Sequence, residues 1–146
     1  MDDYAEMLNA NLDGWGRAMG LRFVTVTLDR VVAEWTVGSE HRQAYGIVHG
    51  GVHCGVIETL ASVGAAMNAL KDGRSVVGLE NNTSFLHAVR EGTLTATALP
   101  VVRGRRTQVW EAKVEDASGR LVATGRVRLM VLEPESMLAG KKPAVE

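Results

Sequence analysis

The chain has almost no net charge and a single cysteine, and each shortage narrows what it can be. Its formal charge at neutral pH is -1. A domain that grips nucleic acid through its phosphates carries a basic surplus, so no nucleic-acid partner is expected. Cys54, the one cysteine, has no second thiol in the chain to pair with. That fits a reducing compartment, and the expected location is the cytoplasm. Cys54 lies in an apolar run and reads as a small core residue rather than a nucleophile. The N-terminus carries Asp2, Asp3 and Glu6 with no apolar run after a basic start, so no signal peptide is read there. No membrane span is read either, because the longest apolar run is interrupted by His53, Glu58 and Asn68. His-Glu-x-x-His is absent. His49 and His53, four apart, are too few for zinc, which takes three or four ligands. Neither a metal nor a cofactor is expected.

What remains suits one soluble domain. The 146 residues are 46% apolar and 23% charged, enough for a real core. There is no internal repeat and no composition break, so residues 1–146 read as a single domain. Residues 1–20 form an N-terminal helical segment, and the polar stretch 133–146 reads as a flexible tail. A short helix is expected over residues 2–11, broken by Asp13, Gly14 and Gly16. Residues 21–28 alternate as a strand, with Val24, Val26 and Leu28 on one face. The next strand turns Val31, Ala33, Trp35 and Val37 inward. Four more strands are read over 75–86, 93–102, 107–115 and 121–132. Their short junctions imply consecutive antiparallel pairs.

Between the two groups of strands lies YGIVHGGVHCGVIETLASVGAAMNAL, residues 45–70, ended by Asp72-Gly73. It is apolar nearly all round, which argues for a helix enclosed by the sheet. A curved antiparallel sheet wrapped around one long central helix, an α+β fold, satisfies this order of elements. Such a sheet leaves edges to be covered, so we expect at least a dimer.

One carboxylate stands inside the enclosed run. Glu58 has Ser62 one turn later on its face and no basic residue at i+3 or i+4. Burying a charge without a partner is costly, so Glu58 is either a satisfied structural group or a working one. The glycine pair Gly50-Gly51 opens the helix. Its first N–H groups lack internal partners, and glycine lets a carbonyl come close. The plain alternative is a tight turn.

These features carry a resemblance. The run QAYGIVHGGV from Gln43, with Glu58 eight residues after Gly50, resembles the hotdog-fold acyl-CoA thioesterases. It lies nearest the branch with the phenylacetate-pathway (PaaI-like) and 4-hydroxybenzoyl-CoA enzymes. NNTSF from Asn81, Glu91-Gly92, VRGRR from Val102 and DASGRL from Asp116 fit the same branch, over residues 21–132. The resemblance implies hydrolysis of an acyl-CoA thioester by a homodimer, assembled further as a dimer of dimers. Glu58 would attack the thioester or activate water, from one chain toward loops of the other. A Gly50 or Gly51 N–H would meet the oxyanion, worth about 3–4 kcal/mol of barrier. Gln43 would orient water or the carbonyl, with His49 beside the glycines and Ser62 holding the water or the carboxylate. The plain readings of these three are a loop amide, a helix-start residue bonding backbone and a packing serine. Asn82, Phe85, His87, Arg103, Arg105 and Arg106 would contact substrate or coenzyme A, though the arginines could also be a solvated turn. Several relatives carry Arg at the His87 position, and others carry His at Phe85, which offers no hydrogen bond to a hydroxyaryl group. A non-catalytic acyl-CoA binding module on the same fold would not need a carboxylate at 58. A hydratase would need an Asp and His motif that is absent.

Overall fold

The computed structural model describes residues 1–12 and 14–143. In chain order the elements are α1 (Ala5–Ala10), α2 (Gly14–Ala18), β1 (Arg22–Val26), β2 (Val31–Thr36), a 3-10 turn (Ser39–His41), α3 (Gly50–Leu70), β3 (Ser75–Phe85), β4 (Thr93–Arg103), β5 (Thr107–Glu115) and β6 (Leu121–Leu132). The six strands form one antiparallel sheet in the order β1-β2-β4-β5-β6-β3. The sheet packs on the single long helix α3, as the element order implied.

The inward faces follow the period-2 pattern. Val31, Ala33, Trp35, Leu94, Ala96, Ala98, Trp110, Ala112 and Val114 are all buried. They close on Val56, Ile57, Leu60, Ala61 and Ala65 of α3 in one core. The helix ends where the sequence said. Gly73 turns left-handed at φ +66, and the Gly73 and Arg74 N–H groups close on the Leu70 and Ala69 carbonyls.

The closest approach of helix to sheet is at Gly64. A Cβ there would lie 2.5 Å from Cζ3 of Trp110, a ring with no exposed surface. Its indole N–H donates to Gln108 Oε1 at 2.9 Å, and Gln108 Nε2 donates to the Ala65 carbonyl at 3.3 Å. The ring is therefore pinned and cannot yield. Gly64→Ala is expected to destabilise by about 1–2 kcal/mol, overpacking outweighing the helix-propensity gain. A urea midpoint at or above wild type would contradict this fit.

Two expectations need correction and two gain detail. First, β3 does not pair with β4. It pairs with β6 at the sheet's edge, while β4 crosses to lie beside β2; residues 86–92 are a crossover, not a hairpin. Second, in β1 it is Phe23 and Val26 that are buried, with Leu21 just before the strand, and Val24 is exposed. A bulge between Phe23 and Thr25 shifts the register and swaps the faces. Third, α1 ends at Ala10 as expected, but the break that follows is short. Gly14, at φ +60, starts the short helix α2, and Gly16 packs on Leu12 within it. Asp13 lies outside the described residues. Fourth, the tail is placed as far as Pro143. Glu133 pairs with Arg74, and Leu138 and Pro143 line a recess of about 330 Å³ with Leu70 and Val76. Residues 144–146 are outside the described part.

The two sheet edges differ. At β1, Tyr4 N–H donates to the Val26 carbonyl at 2.8 Å, and Asn9 bonds both the N–H and the carbonyl of Phe23 at 2.8 Å. Asp3 accepts from Val26 N–H at 2.9 Å. The N-terminal segment thus caps that edge. β3 pairs with β6 alone among the described residues and exposes Leu79 and Phe85.

Candidate active site

Glu58 is half-buried on the flank of α3 that faces β3. The helix is therefore not enclosed all round, as its composition suggested. Ser62, Val63, Ala66 and Met67 on the same flank are half-buried too. Asn81 Nδ2 donates to Glu58 Oε2 and to the Cys54 carbonyl, both at 3.1 Å. Thr83 donates its hydroxyl to Asn81 Oδ1 at 2.6 Å. This chain fixes the Asn81 amide and aims it at one carboxylate oxygen. The other oxygen, Oε1, lies over Gly78, where a Cβ would overlap it. Among the described residues Oε1 has no hydrogen-bond partner. The carboxylate is thus held by one oxygen and bare at the other.

Asn81 is the residue that the sequence reading missed. It chose Asn82, which lies on the outer face of the sheet with Glu80, Val109, Arg126 and Arg128 around a recess of about 430 Å³. Alternation could have found Asn81, because it shares its face with Phe85 four residues on.

At the start of α3, His49 is the N-cap, and its Nδ1 accepts the Gly51 N–H at 2.7 Å. Of the two expected oxyanion donors only Gly50 keeps a free N–H among the described residues. Phe85 lies over it: a Cβ on Gly50 would be 2.8 Å from the ring's Cζ. Gln43 lies in the preceding loop. Its Oε1 accepts from Tyr45 N–H, and its backbone closes a turn with Gly46 and Ile47. Arg90 and Arg42 tie this loop to residues 89–90, through the Tyr45 and Arg90 carbonyls. Ser62 lies one turn past Glu58 on an apolar groove of about 560 Å³ walled by Met7, Leu8, Ala66, Leu70 and Val76.

The basic residues are elsewhere. Arg103 and Arg105 line a polar recess with Asn68, Asp72 and Arg74. That is the far end of the 21-residue helix, about 30 Å of rise from Gly50. Arg103 is paired with Asp29, whereas Arg105 and Arg106 have no side-chain partner among the described residues. His87 is exposed after β3, its Nδ1 2.8 Å from the Leu121 carbonyl. No three His, Cys, Asp or Glu side chains converge as a metal site among the described residues.

His53, one turn into α3, is 3% exposed and packs between Trp35 and Phe85, each with ring centroids 6.3 Å away. Burial pushes it down to about 4 from 6.5. The unfolded chain takes this proton near pH 6.5, and the folded chain refuses it until about pH 4. Between those values the unfolded state binds more protons, so stability falls as the pH drops through that window. The full loss is about 3 kcal/mol. Urea midpoints measured from pH 7.5 to 4.5 should fall more steeply for wild type than for His53→Leu. Parallel curves would remove His53 as the cause.

Known proteins match this chain over most of its length. The thioesterase superfamily profile matches residues 45–123. Rv1847 of Mycobacterium tuberculosis is 42% identical over 117 residues, 79% of this chain and 84% of its own length. A 1,4-dihydroxy-2-naphthoyl-CoA hydrolase of Listeria monocytogenes is 34% identical over 118 residues, 81% of this chain and 95% of its own. The crystal structure of AziG from S. sahachiroi superposes with a TM-score of 0.80 at 46% identity, covering 84% of this chain and 98% of that one. The chain belongs to the thioesterase superfamily and is a thioester hydrolase of the hotdog fold.

Proposed function

We propose that the protein hydrolyses an acyl-CoA thioester to the free acid and coenzyme A, with Glu58 as nucleophile or general base and the Gly50 N–H polarising the carbonyl. The observation that carries this is the half-held carboxylate: Asn81 grips Oε2, and Oε1 is bare over Gly78. One oxygen is positioned by the protein, and the other is left for a substrate or a water.

The site is shared between two copies. Glu58 lies eight residues past Gly50, about 12 Å along the helix. Its side chain leans back toward the N-terminus, but only to the level of Cys54, whose carbonyl shares its Asn81 partner. That still leaves about 6 Å of rise. An attacking atom about 3–3.5 Å from the carbonyl carbon and a donor about 3 Å from its oxygen span a comparable distance, so what points to a second copy is the open edge of β3 beside Glu58. Two copies joined antiparallel along the open edge of β3 bring Glu58 of one to Gly50 of the other. Gln43 and His49 then arrive with that glycine, and Ser62 with Glu58. The homodimer is the working unit, and a dimer of dimers is the larger assembly.

Arg105 and Arg106 are free to hold coenzyme A phosphates. Their replacement with Ala is expected to raise KM more than it lowers kcat. The named activity of the Listeria relative supports an aromatic acyl group, as does the PaaI-like pattern. CoA thioesters are intracellular substrates, so the same reading places the protein in the cytoplasm. The test is thiol release from aryl-, arylacetyl- and medium-chain acyl-CoAs. Turnover of an aryl ester is the expected result. Tight binding of the whole panel without thiol release would overturn hydrolysis in favour of a CoA-ester binding module.

A further inference from the structure

We infer that His41, which belongs to none of the motifs, is a positioning residue that sets the Gln43 loop and the start of α3 in register; its kinetic consequence rests on the thioesterase reading. The ring is 1% exposed. Gly38 N–H donates to its Nδ1 at 2.8 Å, and its Nε2 lies 2.7 Å from the Met19 carbonyl. A backbone N–H only donates and a carbonyl only accepts. The imidazole is therefore the neutral form with its proton on Nε2, and both ring nitrogens are used. Removing either bond would leave a part-buried backbone group without its partner.

The partners belong to different parts of the chain. Met19 follows α2, and Gly38 follows β2. The His41 carbonyl then accepts the N–H of His49 at 2.8 Å. His49 caps α3 and occupies the Gly51 N–H, which leaves Gly50 as the donor. Gln43 hangs between these two anchor points. The circuit closes through α2, because Trp15 lies so near Gly55 of α3 that a Cβ there would overlap its ring. Helix α3 thus holds α2, α2 holds the His41 ring, and the backbone of residue 41 holds the cap of α3. His41 makes no hydrogen bond to the half-held carboxylate among the described residues, so it acts through Gln43 and His49.

The test uses two substitutions that each spare one bond. His41→Asn keeps an acceptor near Nδ1 for Gly38, and His41→Gln keeps a donor near Nε2 for Met19. Amide hydrogen exchange is expected to rise about tenfold or more over residues 42–51 in both, with the core amides of β4, β5 and β6 unchanged. On the best acyl-CoA, kcat is expected to fall about tenfold with KM within about threefold of wild type. Combined with Gln43→Ala, the loss is expected to be no greater than that of the worse single variant, because both act through one loop. Exchange that rises equally in core and loop, or losses that multiply, would overturn the proposal. If wild type releases no thiol from any ester, the thioesterase reading fails, and the exchange pattern decides on His41 by itself. If His41→Asn does not fold, His41→Gln, which keeps the tie to α2, carries the same readouts.

Discussion

Glu58→Gln is expected to lower kcat for thiol release by about 100-fold or more with the fold intact. The substitution is nearly isosteric. Its amide oxygen can accept from Asn81 Nδ2 as Oε2 does now. Its NH₂ then takes the place of Oε1 over Gly78, on a flank that is only half-buried. No buried group loses a partner, so the melting temperature should move little. What disappears is the lone pair that attacks the carbonyl or takes the proton from water. Gly78→Ala approaches the same atom from the other side, since its Cβ would overlap Oε1. It should slow turnover by displacing the carboxylate while leaving it charged. A fully active Glu58→Gln protein would remove this residue from the chemistry, whatever the family resemblance implies.

The sequence made the helix, the core faces and Glu58 legible because each rests on a local pattern. Period 2 marks the buried side of β2, β4 and β5, and the apolar run bounded by Gly50 and Gly73 marks α3. Two bulges hid the rest. The one in β1 exposes Val24 and buries Phe23. The one between Gly78 and Glu80 shifts β3, so it is Asn81 and not Asn82 that meets Glu58. A bulge adds one residue to a strand and reverses every face beyond it; nothing local in residues 22–26 announces the first, and in β3 only counting back in twos from Phe85 leads to Asn81. Strand partners were also beyond reach. A connection as short as residues 86–92 serves a hairpin or a crossover equally well. The choice is made by the slot beside β2, which only the folded sheet contains. His49 shows a third limit. Its spacing identified it, but its bond to Gly51 removes one of two candidate donors, and that follows from a rotamer rather than a motif.

Mixing two inactive variants should restore activity, and the amount recovered reports where the site lies. Glu58→Gln removes the carboxylate. Gly50→Val places a branched side chain where even a Cβ would meet the Phe85 ring, and so covers the one donor of the glycine pair left free among the described residues. Each homodimer then has two damaged sites. In a symmetric dimer with shared sites, a heterodimer of the two variants has one site with both lesions and one with neither. Random reassortment makes about half the dimers mixed, so the pool should reach about one quarter of wild-type activity. Joint refolding or co-expression with different tags supplies the mixture, and the doubly tagged fraction should carry all the recovered turnover. If Glu58 and Gly50 acted within one chain, every chain in the mixture would still be damaged. Mixing would then give only the average of the two parents. That outcome would put the carboxylate and the donor of one chain, about 6 Å of helix rise apart, on the same carbonyl, and the open edge of β3 would then have no part in the chemistry.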